Sequence, residues 1–129
     1  MALSANSLPN SNWPYRQATS DTCVVDDTDS RDYNTIQKIS SLPAGVSYDS
    51  IGRTLVKGNS NICIYIEHNG NGLSSDNVEI GKGSVITICG KKAKIAPTAG
   101  CVDISAANMI TLLSLMDYDK NPHIEITTQ

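Results

Sequence analysis

A chain of 129 residues, 40% hydrophobic and 18% charged, is one domain's length and can bury a modest core. Its net charge of -3 opposes a general nucleic-acid binder, which carries a basic surplus, and no stretch approaches the roughly 20 apolar residues of a membrane helix. The 4 cysteines are too sparse for a disulfide-built miniprotein, and none lies in a C-x-x-C pair of the zinc-ribbon kind.

Residues 1–22 are rich in Ser, Asn and Pro without a period. They read as an irregular N-terminal arm, pinned by Trp13 and Tyr15, ahead of a single domain over 23–129. The arm has no basic region followed by an apolar core, so no secretory signal is read, and the chain as written is cytoplasmic. Asp26-Asp27-Thr28-Asp29 and Arg31 to Asn34 form an acidic, turn-prone run, read as a solvated turn without metal. Residues 35–58 carry no firm assignment beyond a turn at Leu42-Pro43-Ala44-Gly45.

Ile62 to His68 reads as a strand, closed by the turn Asn69-Gly70-Asn71-Gly72. Val78 to Ile80 is a candidate short strand. Ser84 to Cys89, between Gly83 and Gly90, is a near-continuous apolar run and reads as a buried strand. The Lys91, Lys92, Lys94 cluster has no interleaved aromatic residue and reads as a solvated turn. Ser105 to Met116 is the clearest helix. Ser105 is a suitable N-cap, and Met109, Leu112, Leu113 and Met116 recur at helical spacing to form one apolar face. After the break at Asn121-Pro122, His123 to Thr127 alternates as a final strand. The resulting fold class is mainly β, a β-rich α+β arrangement without βαβ alternation.

The segment with most chemical content is Pro97-Thr98-Ala99-Gly100-Cys101-Val102. A cysteine after a Pro/Gly turn and shortly before a helix is placed where backbone N–H groups can hold an oxyanion or favour a thiolate. On these residues alone a buried structural cysteine is the simpler reading.

The same segment resembles the nucleophile motif of the L,D-transpeptidase (YkuD-type) catalytic domain in its P-T-[AE]-G-C variant. Val25-Asp26-Asp27 with Asp32-Tyr33-Asn34 is similar to the family's V-D-D-P-x-S-x-x-Y-N stretch. Ile64 to Asn69 with Gly81 to Ile86 looks like its paired strands, and the closing Asp119-Lys120-Asn121-Pro122 also fits, so the resemblance runs from about residue 23 to 129. It implies a β-sandwich with a helix after the cysteine motif, and a cysteine nucleophile that attacks peptidoglycan stem peptides at an L,D bond through a thioester. Cys101 then stands as the nucleophile, and the backbone of Ala99, Gly100 and Cys101 as the oxyanion hole. No cofactor and no metal is implied, the partner is the stem peptide, and the compartment is the cell envelope or periplasm.

Two departures set the expectations. Cys89 occupies the position of the family's catalytic histidine, and that histidine carries the proton in acyl transfer. A cysteine without such help is only a few per cent thiolate at neutral pH, and acid–base assistance is typically worth about 10²–10⁴-fold. The family's upstream section also has no counterpart in residues 1–22, so the match looks like the C-terminal part of the domain. His68 is a weak alternative base: antiparallel pairing puts it near Gly83 and away from Cys89. His123 reads as a surface residue. A zinc site from Cys89, Cys101 and His68 lacks ligand-type spacing. If a cysteine replaces the histidine that touches the nucleophile, Cys89 and Cys101 are expected within reach of a disulfide. The functional expectations are therefore a divergent cysteine acyltransferase, a catalytically degenerate peptide-binding or structural module, or a truncated, marginal fold.

Overall fold

The run Ile62-Cys63-Ile64-Tyr65 is buried at every position because its strand is covered on both faces. Period-2 alternation sends Ile62 and Ile64 to one side, where they meet Ala2, Ile88, Met109 and Leu113, and sends Cys63 and Tyr65 to the other, where they meet Leu3, Val24, Ile36 and Leu55. The computed structural model describes residues 1–6, 8, 11–92, 94, 98 and 101–128. Its architecture is mixed α+β and mostly sheet. Among the described residues eight strands form two sheets, with two α-helices.

In chain order the elements are β1 (Ala2–Ser4), β2 (Tyr15–Gln17), β3 (Thr22–Val25), β4 (Ile36–Lys38), β5 (Tyr48–Asp49), α1 (Ile51–Val56), β6 (Ser60–Tyr65), β7 (Thr87–Lys91), β8 (Val102–Ser105) and α2 (Ala106–Leu115). Short 3-10 turns occupy Ile39–Ser41 and Tyr118–Lys120. The larger sheet has the order β2-β1-β6-β7-β8, and the smaller β4-β3-β5. β6 and β7 pair antiparallel, whereas β7 and β8 pair parallel through the connection over 92–101.

The helix expected over Ser105 to Met116 forms. The Ser105 hydroxyl accepts the Asn108 N–H at 3.1 Å, and Met109 and Leu113 are fully buried against β6 and β7. Each such side chain contributes roughly 1.5–3 kcal/mol on burial. Close approach of α2 to the sheet depends on Gly90: a Cβ there would lie 2.2 Å from Asn61 Oδ1 and 2.7 Å from Met109 Cβ. On the other face α1 sits on β3 in the same manner, since a Cβ at Gly52 would meet the Thr19 carbonyl at 2.1 Å.

Several sequence expectations are corrected. Residues 1–22, read as an irregular arm, supply β1 and β2, and Ala2 and Leu3 are wholly buried. A three-residue strand is too short to display a period, so its burial on both faces is a tertiary effect. Val78 to Ile80 is not a strand. The loop around it is organised by the buried side chain of Asn69, which donates to the carbonyls of Glu79 and Gly83 and accepts the Glu79 N–H, each at 2.9 Å. The strand read over Ser84 to Cys89 begins only at Thr87 and continues through Gly90 to Lys91. Val85 has φ 57°, a left-handed conformation that a β-branched residue rarely adopts and that interrupts the ladder. His123 to Thr127 alternates in sequence but forms no strand and pairs with neither sheet among the described residues.

Candidate functional site: a thiol beside a cross-strand disulfide

Alternation and register together place a row of reactive side chains on one face of the larger sheet. Thr87, Cys89 and Lys91 are two residues apart on β7 and therefore share a face. Cys63 lies directly opposite Cys89 across the antiparallel ladder, and Asp103 lies opposite Cys89 on the parallel side. Cys101, two residues before Asp103 and just ahead of β8, falls beside Thr87. These groups line a cavity of about 380 Å³, to which Asp49, Ile51 and Thr54 also contribute.

Cys63 and Cys89 form a disulfide, with Cα atoms 4.1 Å apart. The expected Cys89–Cys101 bond is thus corrected: the residue facing Cys89 squarely across the ladder takes the bond, and Cys101 remains a free thiol. The Cys101 thiol donates to the Val85 carbonyl at 3.2 Å and accepts from the Thr87 hydroxyl at 3.3 Å. Thr87 Oγ1 also stands 3.3 Å from Cys89 Sγ. A disulfide sulfur has no proton, so the hydroxyl is the only donor available between them, and its single hydrogen serves one sulfur at a time. Thr98 donates through its hydroxyl to the Cys101 carbonyl.

Asn34 holds the wall of this cavity. It is fully buried with φ 57°, a conformation Asn tolerates better than most residues. Its side-chain amide donates to the Asn69 carbonyl at 2.6 Å, and its side-chain oxygen accepts the Tyr65 hydroxyl at 2.7 Å and the Val85 N–H at 3.0 Å. The strained Val85 backbone, whose carbonyl receives the thiol, is thereby fixed by a residue distant in sequence.

Charge around the cavity is mainly acidic. Burial raises the Asp49 carboxyl above its ordinary range; nearby Asp26 adds to the shift, and Lys91 opposes it. Lys91 itself pairs with Asp103 at 3.9 Å. The second free thiol, Cys23, is fully buried in β3 and lies outside this cavity. Burial pushes it up to about 11, and its thiol donates to the Gln37 carbonyl.

Of the residues singled out from sequence, the structure brings Cys89 and Cys101 together through Thr87. It does not bring His68 to them. His68 lies beside Gly83, exposed, with Nδ1 3.3 Å from the Ile66 carbonyl. His68 and His123 both line a separate cavity of about 690 Å³ that shares no lining residue with the first. The zinc arrangement of Cys89, Cys101 and His68 is therefore not assembled. Among the described residues no three His, Cys, Asp or Glu side chains are grouped as metal ligands. Ala99 and Gly100, expected to frame an oxyanion hole, lie outside the described residues. Sequence reasoning missed Thr87 and Asp49. Thr87 was legible as a polar residue inside an apolar strand. Asp49 carried no signal, since only the fold of β5 brings it to the cysteine.

Among the described residues no helix is long and apolar enough to cross a membrane. No family model, no curated protein and no solved structure matches the chain.

Proposed function

We propose that this chain is a catalytically degenerate L,D-transpeptidase-like module: it binds a peptide of the peptidoglycan stem type in the Cys101 cavity and does not turn it over. One observation carries this reading. Among the described residues that line the cavity there is no histidine, and Cys89, at the position of the family's histidine, is bonded to Cys63. Acyl transfer through a thioester needs a group that removes the thiol proton and then returns one to the leaving amine. Thr87 and the Val85 carbonyl orient the thiol, but neither shuttles protons at neutral pH. The disulfide also fits an oxidising compartment such as the cell envelope, where such bonds persist.

A second reading, a slow cysteine acyltransferase, has one observation in its favour. Asp49 lines the same cavity with a carboxyl raised by burial, and a raised carboxyl is the kind that serves as a general base. The two readings separate on turnover. Wild-type protein incubated with an L,D-linked tetrapeptide is expected to bind it without releasing product. Intact mass after exposure to a carbapenem is expected to show slow, single addition at Cys101. The double substitution Cys63→Ala with Cys89→His is expected to speed that addition by about 10²-fold or more, because the imidazole restores proton transfer. Repeated turnover of the tetrapeptide by the wild type, abolished by Asp49→Asn, decides for the acyltransferase instead.

A further inference from the structure

We infer that the cavity is a three-cysteine exchange site, in which the Cys101 thiol attacks Cys89 Sγ and shifts the disulfide from Cys63–Cys89 to Cys89–Cys101. The inference stands on the position of the sulfurs and goes beyond the peptide-binding reading. Thr87 Oγ1 is 3.3 Å from both Cys101 Sγ and Cys89 Sγ, so those two sulfurs lie within twice that distance of each other. All three sulfurs line one cavity, and Cys101 is the only one of them that is a free thiol. Its hydrogen-bond neighbours are the Thr87 hydroxyl and the Val85 carbonyl.

The step is balanced within the chain. The Cys101 S–H proton leaves to water or to a cavity carboxylate, and the thiolate forms a bond to Cys89 Sγ. The Cys63–Cys89 bond breaks, Cys63 leaves as a thiolate, and it takes up a proton. One disulfide and one thiol stand on each side, so neither oxidant nor reductant is consumed. The outcome differs for the molecule. The resting bond crosses the β6–β7 ladder, whereas the exchanged bond ties β7 to the start of β8, masks the thiol of the peptide-binding cavity and leaves the buried Cys63 as the new thiol. The same protein then exists in a thiol-presenting form and a masked form.

Disulfide mapping tests this without any peptide ligand, so its failure and the failure of the peptide-binding reading are distinguishable. Native protein is held at mildly alkaline pH, where thiols ionise. It is then quenched in acid, alkylated with a maleimide in acidic urea so that buried thiols are reached, digested with pepsin to prevent scrambling, and mapped by mass spectrometry. A Cys89–Cys101 linked peptide and alkylated Cys63 are expected alongside the resting pair, and Cys101→Ser removes both signals. A single Cys63–Cys89 species at all times, with alkylation at Cys101 and none at Cys63, overturns the inference. A second variant tests reach directly. Cys63→Ser treated with oxidised glutathione is expected to close a Cys89–Cys101 bond. Retention of glutathione on Cys89 or Cys101 with no internal bond overturns the inference as well.

Discussion

The side-chain oxygen of Asn34 accepts the Val85 N–H at 3.0 Å, and Val85 is the residue whose carbonyl receives the Cys101 thiol. The two residues are 51 positions apart, and both hold left-handed backbone conformations. Backbone strain of this kind costs on the order of 1–3 kcal/mol per residue and persists only where the surroundings over-determine it. Here Asn34, Tyr65 and Asn69 supply that determination. The carbonyl that receives the thiol is thus held in place by a buried polar network.

The first prediction follows from that network. Asn34→Ala leaves the Val85 N–H and the Asn69 carbonyl without their buried partner and deprives the Tyr65 hydroxyl of its closer acceptor. A loss of about 2–4 kcal/mol is expected, since each unsatisfied buried group costs roughly 1–3 kcal/mol. Urea titration measures it. Asn34→Gly keeps the backbone conformation but not the bonds. It is expected to lose most of the same stability, and near-wild-type stability in that variant would assign the effect to backbone conformation alone.

A second expectation concerns the disulfide. Cys63 and Cys89 are 26 residues apart, and a cross-link closing a loop of that size stabilises by about 3.5 kcal/mol through the unfolded chain. The double substitution Cys63→Ala with Cys89→Ala is expected to lower stability by about that amount in unreduced buffer. It should also make the urea midpoint insensitive to reductant. A variant midpoint that still falls when reductant is added would show that another disulfide contributes.

Asp49 sets a pH dependence with a definite sign. Burial, with Asp26 adding and Lys91 opposing, holds its folded-state carboxyl above the ordinary range. The folded state therefore binds more protons than the unfolded one between the two values. This contribution to stability is greatest below the unfolded value and is lost as pH rises through the raised one. Asp49→Asn removes that decline. Urea midpoints measured from acid to neutral pH are expected to move in favour of the variant across this window. A constant offset between the two proteins would contradict the shift.

The two free thiols are expected to differ in the native state. Cys23 is fully buried and pushed up to about 11, so its native alkylation should run at least about 10²-fold slower than that of an ordinary accessible thiol. Cys101 is partly exposed and should react first. Timed iodoacetamide labelling with peptide mapping separates them, and in concentrated urea the difference should vanish. Equal native rates would place Cys23 outside the core.

The features legible in the residues alone are the local ones. Helix α2 declares itself because its apolar spacing and its Ser105 cap lie within one dozen residues, and helical contacts are made between near neighbours. Strand β6 declares itself because burial on both faces gives it the β-branched, apolar run Ile62-Cys63-Ile64 before Tyr65. Cys101 stands out because its turn sequence is local too. The short strands β1 to β5 and the six-residue helix α1 are not legible, since two to six residues carry no readable period and owe their structure to their neighbours.

The pairing of the cysteines belongs to the tertiary structure. Four cysteines allow several connectivities, and only the register of β6 on β7 puts Cys63 rather than Cys101 squarely opposite Cys89. The same holds for the site as a whole. Composition and motif identify a thiol, but strand register adds Thr87 and the disulfide, and long-range packing adds Asn34 and Asp49. A one-residue slip would turn Thr87 and Cys89 to the α2 face, because side chains alternate strictly along a strand. Chemistry carried by single residues was written in the chain, and chemistry that depends on which residues meet was decided by the fold.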